Sequence, residues 1–133
     1  MQVPSKSDVI HGLLIGQPEE MTGATTRSYL SDGRCVGWYA SVRDRVAIDA
    51  ELVDRPVPTV LARRFGIEGF WARWTRAECA AKLSATPIVL WLREFGLDVP
   101  GDFRADFRTD PVGQLATNVI VTVAWRGCPC PDR

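Results

Sequence analysis

The sequence predicts an α+β fold in which an antiparallel β-sheet is backed by helices. Three observations carry that expectation: a hairpin signature over residues 24–42, a run dense in β-branched residues at 118–125, and intervening segments bounded by helix start and stop signals. Strands joined by short loops pair antiparallel, and the helices then cover the sheet. At 133 residues the chain has the size of one domain, with a core expected over about 8–126 and a frayed tail at 127–133.

The first element expected is a short helix through Asp8–Ile15, capped by Ser7, ended by Gly16 and barred from continuing by Pro18. The hairpin follows. Ser31, Asp32 and Gly33 fit a three-residue loop, with Gly33 free to take a left-handed conformation. Such a loop pairs Tyr29 with Cys35 and Arg27 with Gly37. Alternation then puts Leu30, Val36, Trp38, Ala40 and Val42 on one face and Arg27, Tyr29, Tyr39 and Ser41 on the other. The first face asks for a core. The second carries a cation, two phenols and a hydroxyl, which suits either solvent or a polar ligand.

Residues 49–54 read as an acidic connection, more often solvated than metal-binding. Pro58 suits the first turn of a helix running to Phe65, with Gly66 as its stop. Phe70, Trp71 and Trp74 favour a strand over 67–74. Thr75 and Glu78 form a capping-box pattern that starts a helix carrying Ala77, Ala80, Ala81 and Leu83 inward and finishing near Ser84. Ile88–Leu92 is an apolar run short enough for a buried strand. A loop at 97–102, a short strand at 103–108 and a final strand over 114–125 complete the order.

Composition narrows the function classes. Sixteen basic and sixteen acidic residues cancel, so the chain has no overall field to recruit nucleic acid or an anionic membrane. No segment is apolar over the length of a membrane span, and no secretory signal is recognisable. Of the basic residues only Lys6 and Lys82 are lysines; the arginine bias fits either a coding-sequence bias or carboxylate recognition. Cys35, Cys79, Cys128 and Cys130 have neither zinc nor disulfide spacing, which points to free thiols in a reducing, cytoplasmic setting. No metal or cofactor is expected. His11 lacks an evident acidic partner or nucleophile.

Leu13-Leu-Ile-Gly16 followed by Thr26-Arg-Ser-Tyr-Leu-Ser-Asp-Gly33, then Tyr39-Ala-Ser41, Val60–Gly66, Arg76–Leu83 and Thr86-Pro-Ile-Val-Leu90, resembles the UTRA effector-binding domain of HutC-type regulators in the GntR superfamily, which shares its fold with chorismate lyase. The chain departs from that family in four places. Cys35 stands where a Pro is usual, Tyr39 where an acid is usual and Val42 where a Tyr is usual, and the second Asp-Gly turn is distorted to Asp98-Val-Pro-Gly101. The resemblance implies a small polar or anionic ligand in a cleft on the sheet, held by Arg27, Tyr29, Tyr39, Ser41 and Glu94. It also implies a homodimer whose geometry the ligand biases. The family's winged helix-turn-helix has no counterpart in the few residues before the first expected helix, so either the chain is cut from a longer regulator or it stands alone. Residues 75–97 have a passing likeness to a helix-turn-helix, but Pro87–Leu92 is too apolar to lie in a DNA groove.

Two other classes stand beside the sensor. An enzyme on the lyase-like fold would need a glutamate where Leu92 stands, two residues before Glu94, and an arginine near Ala40, without which a dianion loses its charge partner. A ligand-free adaptor would expose an aromatic patch including Trp38 and Trp71 or Trp74.

Overall fold

The computed structural model describes residues 13–39, 45–111 and 118–126; Ser7, Asp8, His11, Ala40, Ser41, Val42, Cys128, Cys130 and the expected tail lie outside them. Among the described residues six strands and three helices alternate in blocks: β1 (Leu13–Gly16), a 3-10 turn (Pro18–Met21), β2 (Thr26–Tyr29), β3 (Cys35–Trp38), β4 (Arg45–Leu52), α1 (Thr59–Phe65), α2 (Phe70–Leu83), α3 (Ile88–Phe95), β5 (Asp106–Pro111) and β6 (Val119–Arg126). The class is α+β, built from two antiparallel three-stranded sheets ordered β1-β3-β2 and β4-β6-β5.

The hairpin takes the register its loop dictates. Tyr29 pairs with Cys35 and Arg27 with Gly37. Leu30 N–H donates to Arg34 O and Gly33 N–H to Leu30 O, closing residues 31–33 with Gly33 at φ +93°. Asp32 accepts from the backbone N–H and the guanidinium of Arg34, which holds its carboxyl below the usual range.

β2 runs beside β4, so the two sheets meet along these strands. Ser28 links them: its hydroxyl accepts from Ala50 N–H at 3.1 Å and donates to Asp49 at 3.4 Å. Leu30, Val36 and Trp38 from the small sheet close a core with Ile48, Ala50, Val121 and Val123 from the large one. Alternation sends Ala47, Asp49, Glu51, Thr122 and Ala124 to the opposite face of the large sheet, where α2 packs. There Thr75 donates to Ala72 O, so its lone pair accepts from Thr122, which accepts in turn from Thr109, with Arg76 donating to Thr109. This hydroxyl chain ties α2 to β5 and β6. The layers are therefore small sheet, large sheet and helices.

Several elements differ from the sequence reading. Leu13–Gly16, expected at the end of a helix, is a strand because its backbone pairs with β3 from Leu13↔Trp38 to Gly16↔Cys35. The 49–54 connection is largely the second half of β4, paired through Leu52↔Val119. The aromatic segment read as a strand opens α2: Phe70 and Trp71 are buried on one helix face. Thr75 is an interior residue of that helix, buried against Thr122, and not its cap. Ile88–Leu92 is the start of α3, with Trp91 and Leu92 inward and Gly96 ending it at φ +70°. β5 begins later than expected, at Asp106; β6 is described from Val119, and residues 114–117 of the expected last strand lie outside the described residues. α1 runs from Pro58 to its stop at Gly66 as the sequence indicates, and Ala77, Ala80, Ala81 and Leu83 are buried. No helix among the described residues is long and apolar enough to cross a membrane.

Candidate functional site

Two surfaces gather chemistry-bearing side chains. The first is the outer face of the β1-β3-β2 sheet. Arg27 and Tyr29 project from β2, and Tyr39 follows β3; Tyr29 is 60% exposed and Tyr39 38%. Between them the 3-10 turn folds over the sheet. Met21 is fully buried above Gly37, where an added Cβ would lie 2.8 Å from the Met21 sulfur and the methionine side chain would have to shift. Tyr39 Oη donates toward Glu20 O at 3.5 Å and lies 3.9 Å from the same sulfur. Arg27 is exposed and has neither an ion pair nor a hydrogen bond among the described residues. Cys35 lies beneath this face, fully buried, and burial raises its thiol pKa although the Arg27 charge opposes the shift.

The structure brings Arg27, Tyr29 and Tyr39 to one face. Glu94 stands apart from them, exposed on α3 in the helical layer beyond the large sheet. Ser41 lies outside the described residues.

The second surface is the seam between α2 and β4, which the sequence reading passed over as a solvated acidic connection. Asp49 is 6% exposed. One carboxylate oxygen meets Ser28 and the Lys82 ammonium, each at 3.4 Å, while Oδ2 has no hydrogen-bond partner. Burial pushes this carboxyl up to about 8, against the pull of Lys82 and with help from the charges of Glu78 and Glu51. Lys82 also donates to Ile48 O at 2.7 Å. Glu51 accepts from Trp74 Nε1 at 3.1 Å and pairs with Arg55 at 3.5 Å. Burial raises the Glu51 and Glu78 carboxyls as well. Among the described residues no group of three or more His, Cys, Asp or Glu stands close enough to hold a metal ion. The signal for this seam was present in Val46-Ala-Ile-Asp-Ala-Glu-Leu52: read with a period of two, Asp49 and Glu51 share a face with Ala47.

The tryptophan patch expected of an adaptor is not there. Trp38 and Trp71 are buried, and Trp74 is half-buried with its indole N–H on Glu51. Exposed apolar side chains occur instead on α1, its exit and α3. In comparisons with known proteins, no family model matches the chain, and neither does any curated protein or solved structure.

Proposed function

We propose that the chain is a binding domain for a small anionic ligand, taken up on the outer face of the β1-β3-β2 sheet. The observation that carries this reading is the Arg27 guanidinium, unpaired among the described residues and flanked on the same face by exposed phenols. A guanidinium donates a planar fork that matches a carboxylate or phosphate, Tyr29 adds an apolar ring and a hydroxyl, and Tyr39 adds an apolar ring. The hairpin register fixes Arg27 and Tyr29 two residues apart on one strand, so both can touch a single ligand. Ser28, on the reverse side of that strand, anchors it to β4 and so holds the ligand face in place.

In this reading the likeness to UTRA domains supplies the role, a sensor whose occupancy is relayed to a partner or to a DNA-binding domain. The two buried free thiols, Cys35 and Cys79, fit a reducing compartment such as the cytoplasm. A thermal-shift and calorimetric screen with sugar phosphates, aromatic carboxylates and amino-acid derivatives tests the proposal. A ligand at about 100 times its Kd adds about 2.7 kcal/mol of stability if it binds the folded state alone. The shift should vanish in Arg27→Ala; a shift that survives that change, or none with any anion, refutes the assignment.

A further inference from the structure

One end of the large sheet holds a pair of cations that the ligand reading does not use. Arg45 opens β4 and Arg126 closes β6, and the register sets them directly opposite each other. Opposed residues of an antiparallel pair point to the same side with their Cβ atoms about 5 Å apart, and like charges so placed repel. Here that side is the helical one, because the next such pair inward, Ala47↔Ala124, packs with Leu83 of α2 and against Phe103. Each guanidinium is held in place. Arg45 donates to Leu83 O at 2.6 Å, at the C-terminal end of α2. Arg126 lies over the Phe103 ring, 4.8 Å from its centroid, and donates through Nε to Arg104 O at 2.9 Å. A guanidinium carries several N–H donors, and each of these two uses one of them among the described residues.

The carboxylates on the surrounding elements do not neutralise the pair. Neither arginine has an ion pair among the described residues, and Arg104 adds an exposed third cation beside them. Asp106 stands opposite Trp125, so alternation turns it to the other face. Asp49 and Glu51 lie further along β4, engaged by Lys82 and by Arg55 and Trp74. Glu78 sits one turn back along α2 from Lys82, whose ammonium is turned to Ile48 O and Asp49. Asp102, exposed just before Phe103, makes no ion pair among the described residues. Two fixed forks with donors to spare and a mutual repulsion favour an anion within reach of both. A carboxylate brings a single charge and two oxygens; a phosphate group brings close to two charges and three or more oxygens, enough for both forks at once.

We infer that Arg45 and Arg126, with Arg104 at their side, form a phosphate-binding site at the end of the β4-β6 ladder, for free phosphate or for the phosphate group of a small monoester. It is separate from the proposed ligand face, because Arg27 lies on the outer face of the other sheet, and either can fail alone. Isothermal titration calorimetry of the full chain with inorganic phosphate, at an ionic strength held constant with sodium chloride, tests it. The wild type should bind phosphate, and Arg27→Ala should keep this site. Arg45→Gln and Arg126→Gln should each weaken binding about tenfold or more with circular dichroism unchanged. Arg126→Lys, which keeps the charge without the fork, should fall between, and acetate should bind far more weakly than phosphate. In nitrogen NMR of the wild type, phosphate should move the Nε–H signals of Arg45 and Arg126 most, a reading that needs no variant. Glycerol phosphate separates the two sources: tighter binding than inorganic phosphate makes a small phosphorylated molecule the occupant, weaker binding makes it the free anion, and either supports the site. No heat beyond the salt control overturns the proposal. So does phosphate binding that survives both Arg45→Gln and Arg126→Gln, or that is lost in Arg27→Ala instead, since the anion then sits elsewhere.

Discussion

Replacing Asp49 by asparagine keeps the shape of a buried side chain and removes its titration. In the folded protein burial raises this carboxyl from 3.8 to about 8. The folded protein thus holds a proton where the unfolded chain has released it, so the stability this group contributes is full below pH 3.8 and is lost as the pH climbs through about 8. At about 1.36 kcal/mol per pKa unit, the full loss comes to about 6 kcal/mol, a large share of the roughly 5–15 kcal/mol that holds a domain together. That figure already includes the opposing pull of Lys82, whose ammonium lies 3.4 Å away with its side chain 41% exposed. The substituted amide would carry no charge at any pH. Urea denaturation of both proteins at about pH 5, 7 and 9 reads the effect as a difference in which the other titrating groups largely cancel. The variant should gain on the wild type by several kcal/mol between the lowest and highest pH, most of it below pH 8. A stability difference that does not change with pH would show that Asp49 titrates alike in both states, and would refute the claim that its burial is uncompensated.

Thr122→Val should cost about 1–3 kcal/mol, because it removes the acceptor of the Thr109 hydroxyl at 2.8 Å and the donor that meets Thr75 at 2.7 Å. A Thr75→Val change added to it should cost less than its own single effect, measurable as a double-mutant cycle in chemical denaturation. Gly33→Ala forces a side chain onto φ +93° and should destabilise by about 1–2 kcal/mol in thermal unfolding, with Gly33→Asn milder. Arg27→Ala should leave unfolding within about 0.5 kcal/mol of the wild type, since the side chain is exposed and unpaired among the described residues, while abolishing any anion-induced shift.

Where local rules act on neighbouring residues, the sequence was a good guide. Asp32 and Gly33 can close only a short hairpin loop, and that loop fixes which residues oppose which; Pro58 and Gly66 bracket α1 because one fits the helix start and the other its left-handed end. The faces of β2 and β3 follow from a period of two, which is why Arg27, Tyr29 and Tyr39 could be grouped before any coordinates. Apolar runs were less informative. Ile88–Leu92 suits a buried strand or the inner side of a helix, and Phe70–Trp74 favours β by propensity yet begins a helix. The telling signs were punctuation: Pro87 ahead of the first run, and Gly96 nine residues later at a positive φ.

What the chain determined by itself was therefore its hairpin loop, the bracketing of α1 and the alternation of its hairpin, all of them consequences of steric limits within a few residues. The packed structure alone decided that Leu13–Gly16 is a strand, since a strand needs a partner and β3 supplies one from across the 3-10 turn. It decided equally that Asp49, polar and written among acids, lies beneath α2 with an oxygen unpaired. Burial is a property of what comes to lie on a residue, and the residues that cover Asp49 are more than twenty positions away in either direction.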